Sequence, residues 1–256
     1  MKKAFMLALA LLAGAAQASP RVILVGDSTM APKSGYGDAL CARIAPVECI
    51  NLARGGRSSM SFRAEGLWDR VQELLHDGRA ADTWVLIQFG HNDQPGKPGR
   101  STDLVTGFPA NISGYLSDVR AAGGHAVLVT PLTRRSFYGP WLHDDLAPWA
   151  ATTRRIAQET HTPLIDLHGQ SMAAVQAMGE AEADTLAMAP KPGPGQPVSP
   201  LTAGDRAGAA NPVFDRTHLG EKGARLFSQM VAEDLQPLLL KASSSNKTAR
   251  TSGDKP

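Results

Sequence analysis

Arg21-Val22-Ile23-Leu24-Val25-Gly26-Asp27-Ser28-Thr29-Met30 sets an unbroken apolar run directly against a polar turn. Four consecutive aliphatic residues without polar alternation read as a strand covered on both faces. The pattern recurs at Val47–Asn51, Thr83–Phe89, Ala126–Thr130 and Pro163–Asp166. Helical patterns fall between the runs, near Gly37–Ile44, Leu67–Asp77, Phe108–Ala122, Ala147–Thr160 and Ser171–Ala177, with a last one from about Gly220 to Leu240. Strands alternating with helices predict a three-layer α/β/α fold around a parallel sheet. Ligands of such a sheet sit beyond the C-terminal ends of its strands. Ser28, Gly56 and Asn92 all fall at such exits.

The start of the chain carries a different signal. Lys2-Lys3, the nearly continuous apolar stretch 4–16 and the small-x-small triplet Ala16-Gln17-Ala18 form the pattern of a secretory leader cut after Ala18. The expectation is a secreted or periplasmic protein. No later segment reaches the ~20 apolar residues of a membrane span, and no cysteine stands at the cleavage point for a lipid anchor.

Residues 19–240 then suffice for one α/β domain, interrupted by a Pro/Gly-rich loop at 189–212 and followed by a disordered basic tail at 241–256. The formal charge of +2 falls to zero once Lys2 and Lys3 are removed, and the tail carries +3, which leaves 19–240 near −3. That balance excludes a nucleic-acid footprint. Nothing in the sequence fixes an oligomeric state. Cys41 and Cys49 read either as a disulfide of an oxidising compartment or as two small buried thiols.

A serine hydroxyl becomes a nucleophile only when a base takes its proton. Ser28 is the candidate, although a serine after a strand also suits a helix cap. His218 is the candidate base, and Asp215 lies three residues before it, in reach of the imidazole. The competing reading makes Asp215 or Thr217 a cap for the last helix. Asp166/His168 forms a second possible dyad. Donors for a developing oxyanion are available at Ser28 N–H, Gly56 N–H and the Asn92 amide. There is no His-Glu-x-x-His and no Gly-x-Ser-x-Gly, so neither a metal, a cofactor nor the elbow-type esterase plan is expected.

Gly26-Asp27-Ser28, Gly56, Asn92 and Asp215-x-x-His218 resemble the four blocks of the SGNH (GDSL-like) hydrolase superfamily. The longer strings at 26–31, 55–59 and 89–93, with Thr130–Phe137, are similar to rhamnogalacturonan and pectin acetylesterases. The resemblance implies a flavodoxin-like, five-stranded parallel sheet. It implies Ser28 as nucleophile, His218 as base, Asp215 as orienter, and Gly56 and Asn92 as oxyanion donors beside Ser28. The insertion at 189–212 fits the family pattern poorly.

The partner expected from this is an acetylated polysaccharide of plant cell walls, rhamnogalacturonan or another pectin. Residues 134–149 gather Arg134, Arg135, Phe137, Tyr138, Trp141 and Trp149. Aromatic faces suit sugar rings and arginines suit carboxylates, so Arg134, Arg135 and Trp141 are candidate substrate contacts, with Arg57 as a fourth. The tryptophans read equally well as a latch holding the loop, and Arg57 as one half of a salt bridge. An acetylxylan esterase, a general short-acyl or lipid esterase, an acetyltransferase and a non-catalytic polysaccharide-binding module are the other readings.

Overall fold

The computed structural model describes residues 19–193 and 214–251. The expected leader (1–18), most of the 189–212 loop and the end of the tail (252–256) lie outside the described residues.

The chain begins with β1 (Arg21–Gly26), α1 (Gly37–Arg43) and β2 (Glu48–Asn51), followed by α2 (Ser61–Ala64), α3 (Leu67–Leu75) and β3 (Thr83–Gln88). It continues through α4 (Gly107–Ala121), β4 (His125–Val129) and a hairpin of β5 (Phe137–Tyr138) and β6 (Trp141–Leu142). It ends with α5 (Ala147–Glu159), β7 (Leu164–Ile165), α6 (Leu167–Asp184) and α7 (Glu221–Thr251). Five strands form one parallel sheet in the order β2-β1-β3-β4-β7, the flavodoxin-like order in which strand direction of travel reverses beside β1.

The side chains of β1 explain why its run is wholly apolar. Val22 and Leu24 point into one core with Leu40, Phe227, Val231 and Leu235, under α1 and α7. Ile23 and Val25 point into the other, with Phe62, Val71, Phe108, Ile112 and Ile156, under α2 to α5. Each fully buried aliphatic of this kind contributes roughly 1.5–3 kcal/mol. A polar residue on either face would be stranded in a core.

Cys41 on α1 and Cys49 on β2 are joined in a disulfide, with Cα atoms 5.2 Å apart. The thiol alternative is thereby closed. Among the described residues no helix is long and apolar enough to cross a membrane.

Three features differ from expectation. The helix after β7 starts earlier and runs on to Asp184, through a break at Gly179 (φ 71°, ψ 170°). The Asp166 carboxylate caps its start by accepting from Gly169 N–H. The hairpin β5–β6 turns at Gly139, where φ is 58°; strands of two residues are too short to show a period. The last helix, expected to end near Leu240, continues to Thr251. After Pro237 the next helix breaker is Gly253, so nothing in 241–251 stops the helix.

Candidate active site

At the end of β1 the backbone closes a helical turn, with Ala31 N–H donating to Asp27 O at 3.0 Å. The Asp27 carboxylate accepts from Thr29 N–H (2.9 Å) and Thr29 Oγ (2.8 Å), which fixes the turn on which Ser28 rides. The chain then folds back so tightly that a Cβ on Gly35 would lie 2.3 Å from Thr29 O. Glycine is required there for that close approach. Ser34 Oγ donates to Ser28 O at 2.8 Å. The Ser28 hydroxyl makes no hydrogen bond among the described residues, although the side chain is nearly buried at 4% exposure.

His218 approaches from the other end of the chain. Its Nδ1 lies 2.8 Å from Asp215 Oδ2, and the other Asp215 oxygen accepts from the N–H groups of Thr217 and His218, each at 2.7 Å. The Asp215 carboxylate therefore both closes the turn and orients the ring. Leu219 N–H donates to Ser34 O at 2.9 Å, so Ser34 ties the Ser28 loop and the His218 turn to one rim. His218 Nε2 is buried and has no partner among the described residues, so the Ser28 hydroxyl does not donate to it in this structure. Such bonds are often loose before substrate arrives and tighten in the reactive complex.

Arg135 holds the same turn, and here the expected substrate contact needs correcting. The side chain is 0% exposed and cannot meet a substrate carboxylate. Its guanidinium donates to the carbonyls of Asp215 (3.0 Å) and His218 (2.8 Å), and its own N–H donates to Arg216 O (2.8 Å). Burial pulls the guanidinium down to about 10, against the opposing fields of Asp215 and Asp184. Arg216 anchors the turn from outside through Asp184 (2.9 Å) and Glu180.

The two loops carrying Gly56 and Asn92 are stitched together. Asn92 Nδ2 donates to Arg57 O at 3.0 Å. Asp93 accepts from Ser59 Oγ (2.5 Å), Ser59 N–H (3.1 Å) and Thr102 Oγ1 (3.0 Å). Burial pushes the Asp93 carboxyl up to about 6 despite these donors. Gly56 adopts φ 79°, a left-handed conformation that glycine takes without strain. Neither Ser28 N–H nor Gly56 N–H donates within the described residues.

Behind Ser28 runs a buried polar chain that the sequence reading missed. Tyr36 Oη donates to Gln88 Oε1 (2.6 Å), Gln88 Nε2 to Thr29 Oγ1 (2.7 Å), and Thr29 in turn to Asp27. Asp27 closes it at 3.2 Å from His91 Nδ1. Burial alone would raise the Asp27 pKa, yet His91 and the Thr29 donors hold it below the ordinary range. Burial also lowers the His91 pKa. Asp27 and His91 both sit inside the motif strings, so the signal was present without a local pattern to say what they touch.

Around the rim, Arg57 is held by Glu65 (2.6 Å) and by Gly55 O (2.8 Å), the salt-bridge alternative. Arg134 pairs with Asp145 and reaches Thr217 Oγ1 at 3.3 Å. The aromatic segment divides. Phe137, Leu142 and Trp149 are buried as a latch, whereas Tyr138 and Trp141 face each other across the hairpin, each 71% exposed. The alternative dyad is not assembled. Asp166 is taken by Arg154 and Thr130, and His168 Nε2 pairs with Asp144 at 2.9 Å.

The Asp215 pair sets a pH dependence. Burial alone would raise the carboxyl, but the His218 hydrogen bond and charge, with the two N–H donors, bring it from 3.8 down to about 2. A depressed carboxylate contributes stability above its unfolded value and loses it as pH falls through the folded value. The contribution, about 2 kcal/mol, should therefore disappear between roughly pH 4 and pH 2. Chemical unfolding of the parent and of Asp215→Asn at pH 5 and pH 2.5 checks this. The parent's advantage shrinks on acidification; an advantage independent of pH would contradict the assignment.

A probable rhamnogalacturonan acetylesterase, YesY of Bacillus subtilis, is 29% identical over 85% of this chain and 93% of its own length. Rhamnogalacturonan acetylesterase RhgT of the same organism is 30% identical over 85% of this chain and 90% of its own. Among solved structures, Protein YXIM_BACsu from Bacillus subtilis superposes with a TM-score of 0.66 at 21% identity, over 86% of this chain. The chain spans 57% of that protein's length. An acetylxylan esterase, Axe2 of Geobacillus stearothermophilus, gives a TM-score of 0.55 at 16% identity, over 86% of this chain and 94% of Axe2. These two likenesses establish the shared fold. Residues 24–226, from the middle of β1 into α7, match the GDSL-like lipase/acylhydrolase family. The chain belongs to that family and is, with it, a carboxylic ester hydrolase.

Proposed function

We propose that this chain is an exported serine esterase that removes O-acetyl groups from plant cell-wall polysaccharide, with rhamnogalacturonan as its main substrate. The observation that carries the chemistry is the Asp215–His218 pair, in which the buried His218 Nε2 is unpartnered among the described residues, tied through Ser34 to the Ser28 loop. The names of the two Bacillus subtilis relatives support the substrate. The leader pattern supports export, as does a disulfide between Cys41 and Cys49.

In the proposed reaction Ser28 Oγ attacks the acetyl carbonyl while His218 Nε2 accepts its proton. Asp215 keeps the ring in the tautomer with Nδ1 protonated and stabilises the imidazolium. The oxyanion rests on Ser28 N–H, Gly56 N–H and the free N–H of the Asn92 amide, each such donor being worth roughly 3 kcal/mol in the barrier. His218 then protonates the departing sugar hydroxyl. Water, deprotonated by the same imidazole, attacks the acetyl-serine, and acetate leaves as the proton returns to Ser28. Trp141 and Tyr138, exposed on the hairpin, would offer apolar faces to sugar rings further along the polymer.

The test is acetate release from acetylated rhamnogalacturonan, acetylated homogalacturonan, acetylated xylan and a short triglyceride. The expected order places rhamnogalacturonan first. Faster release from xylan or from the triglyceride would overturn the substrate assignment and leave the esterase chemistry standing.

A further inference from the structure

Residues 19–240 carry a net charge near −3, yet one side of the candidate site is strongly basic. An open cleft of about 700 Å³ is lined by Lys33, Ser34, Arg54, Gly55, Arg57 and Arg70, among others, and by no Asp or Glu among the described residues. It adjoins the reacting centre on two sides. Ser34 is the residue hydrogen-bonded to Ser28 O, and Gly55 precedes the oxyanion candidate Gly56. Arg54 itself is pinned there, its N–H donating to Gly26 O at 2.9 Å.

The four cations of the cleft are not equivalent. Arg57 is neutralised by Glu65 and Arg70 by Glu73. Lys33 and Arg54 make no ion pair, and their side chains no hydrogen bond, among the described residues. Lys33 also sits in the left-handed region at φ 69°, where glycine or asparagine would be cheaper. A structural role explains neither side chain. On the far side of Gly56 the pattern continues. Among the described residues Arg100 reaches only Gly56 O, at 3.3 Å, and the Lys97 ammonium has no ion pair, its pKa lowered by burial and by Arg134 and Arg100 beside it.

Cations kept unpaired in a concave site beside a catalytic rim call for an anion supplied by the ligand. We propose that Lys33 and Arg54 form a carboxylate subsite that holds a uronate carboxylate of the polysaccharide beside the reacting acetyl group, with Lys97 and Arg100 extending the same field beyond Gly56. The proposal rests on the reading of the chain as a polysaccharide deacetylase and adds the basis on which acidic chains are preferred to neutral ones. Exposed pairs of this kind contribute modestly one by one, so the two together should be worth about tenfold in affinity.

The test uses an unacetylated oligogalacturonide as inhibitor of p-nitrophenyl acetate hydrolysis by the full chain. Competitive inhibition is expected, weakening strongly as salt rises from about 20 mM to 300 mM. A neutral xylo-oligosaccharide of equal length should inhibit far less. In Lys33→Gln/Arg54→Gln, and to a smaller degree in Arg54→Gln alone, the inhibition constant should rise about tenfold at an unchanged melting temperature. An unchanged inhibition constant in both folded variants, or equal inhibition by the neutral oligomer, would overturn the subsite. The two ideas fail separately. Oligogalacturonide binding that depends on Lys33 and Arg54, without acetate release from any pectic substrate, would keep the subsite and remove the proposed substrate. Acetate release from rhamnogalacturonan that both variants retain in full would do the reverse.

Discussion

Ser28→Ala is expected to lower kcat/KM for p-nitrophenyl acetate by roughly 10⁴-fold or more while leaving the melting temperature essentially unchanged. Ser28 contributes to the fold through its carbonyl, which accepts from Ser34 Oγ at 2.8 Å, and alanine keeps that carbonyl. Its hydroxyl makes no hydrogen bond among the described residues, and the cap of the local turn is supplied by Asp27. The competing reading of Ser28 as a helix cap predicts the opposite pair of results: a stability loss of about 1 kcal/mol and activity largely retained. Rates and unfolding curves of one variant therefore separate the two roles.

Arg135→Met should produce the second large effect, by a different route. The methionine fills much of the volume but withdraws the donors that hold the carbonyls of Asp215 and His218. Two buried carbonyls left without partners cost about 1–3 kcal/mol each, so the melting temperature falls. At temperatures where the variant is fully folded, kcat should still drop roughly 10²-fold, as expected when a catalytic group is displaced by about 1 Å. KM for p-nitrophenyl acetate should hardly move, because Arg135 touches no substrate. Arg135→Lys should recover part of the stability but little of kcat, since an ammonium cannot reproduce the planar fork that spans both carbonyls. A variant that is destabilised yet keeps full kcat when folded would reduce Arg135 to a structural role.

Arg135 also marks the limit of what the sequence made legible. The strands could be read because burial on both faces removes polar residues from Val22–Val25 and Val85–Ile87 alike. The candidate site residues could be proposed because Ser28, Gly56 and Asn92 each follow such a run. Arg135 stands beside Arg134 after the fourth strand, where a charged pair looks like surface. Its burial is caused by carbonyls some eighty positions away, and no local pattern encodes a contact of that range. The chain from Tyr36 through Gln88 and Thr29 to Asp27 was hidden for the same reason. Trp141 and Trp149 show the converse: they lie eight residues apart in sequence, and only the structure, with Trp141 paired to Tyr138 across the hairpin and Trp149 buried on α5, decides which faces outward. α7 ends beyond the expected Leu240 because the Ser, Lys and Thr of 241–250 suggest solvation but do not terminate a helix.

In the proposed mechanism His218, buried and with Nε2 unpartnered among the described residues, activates Ser28. Labelling with an alkyl fluorophosphonate, followed by peptide mapping, tests this most directly. The predicted result is one modified residue, Ser28, with labelling slowed by orders of magnitude in His218→Ala and absent in Ser28→Ala. A label found on any other residue, or undiminished labelling and ester hydrolysis in Ser28→Ala, would contradict the account.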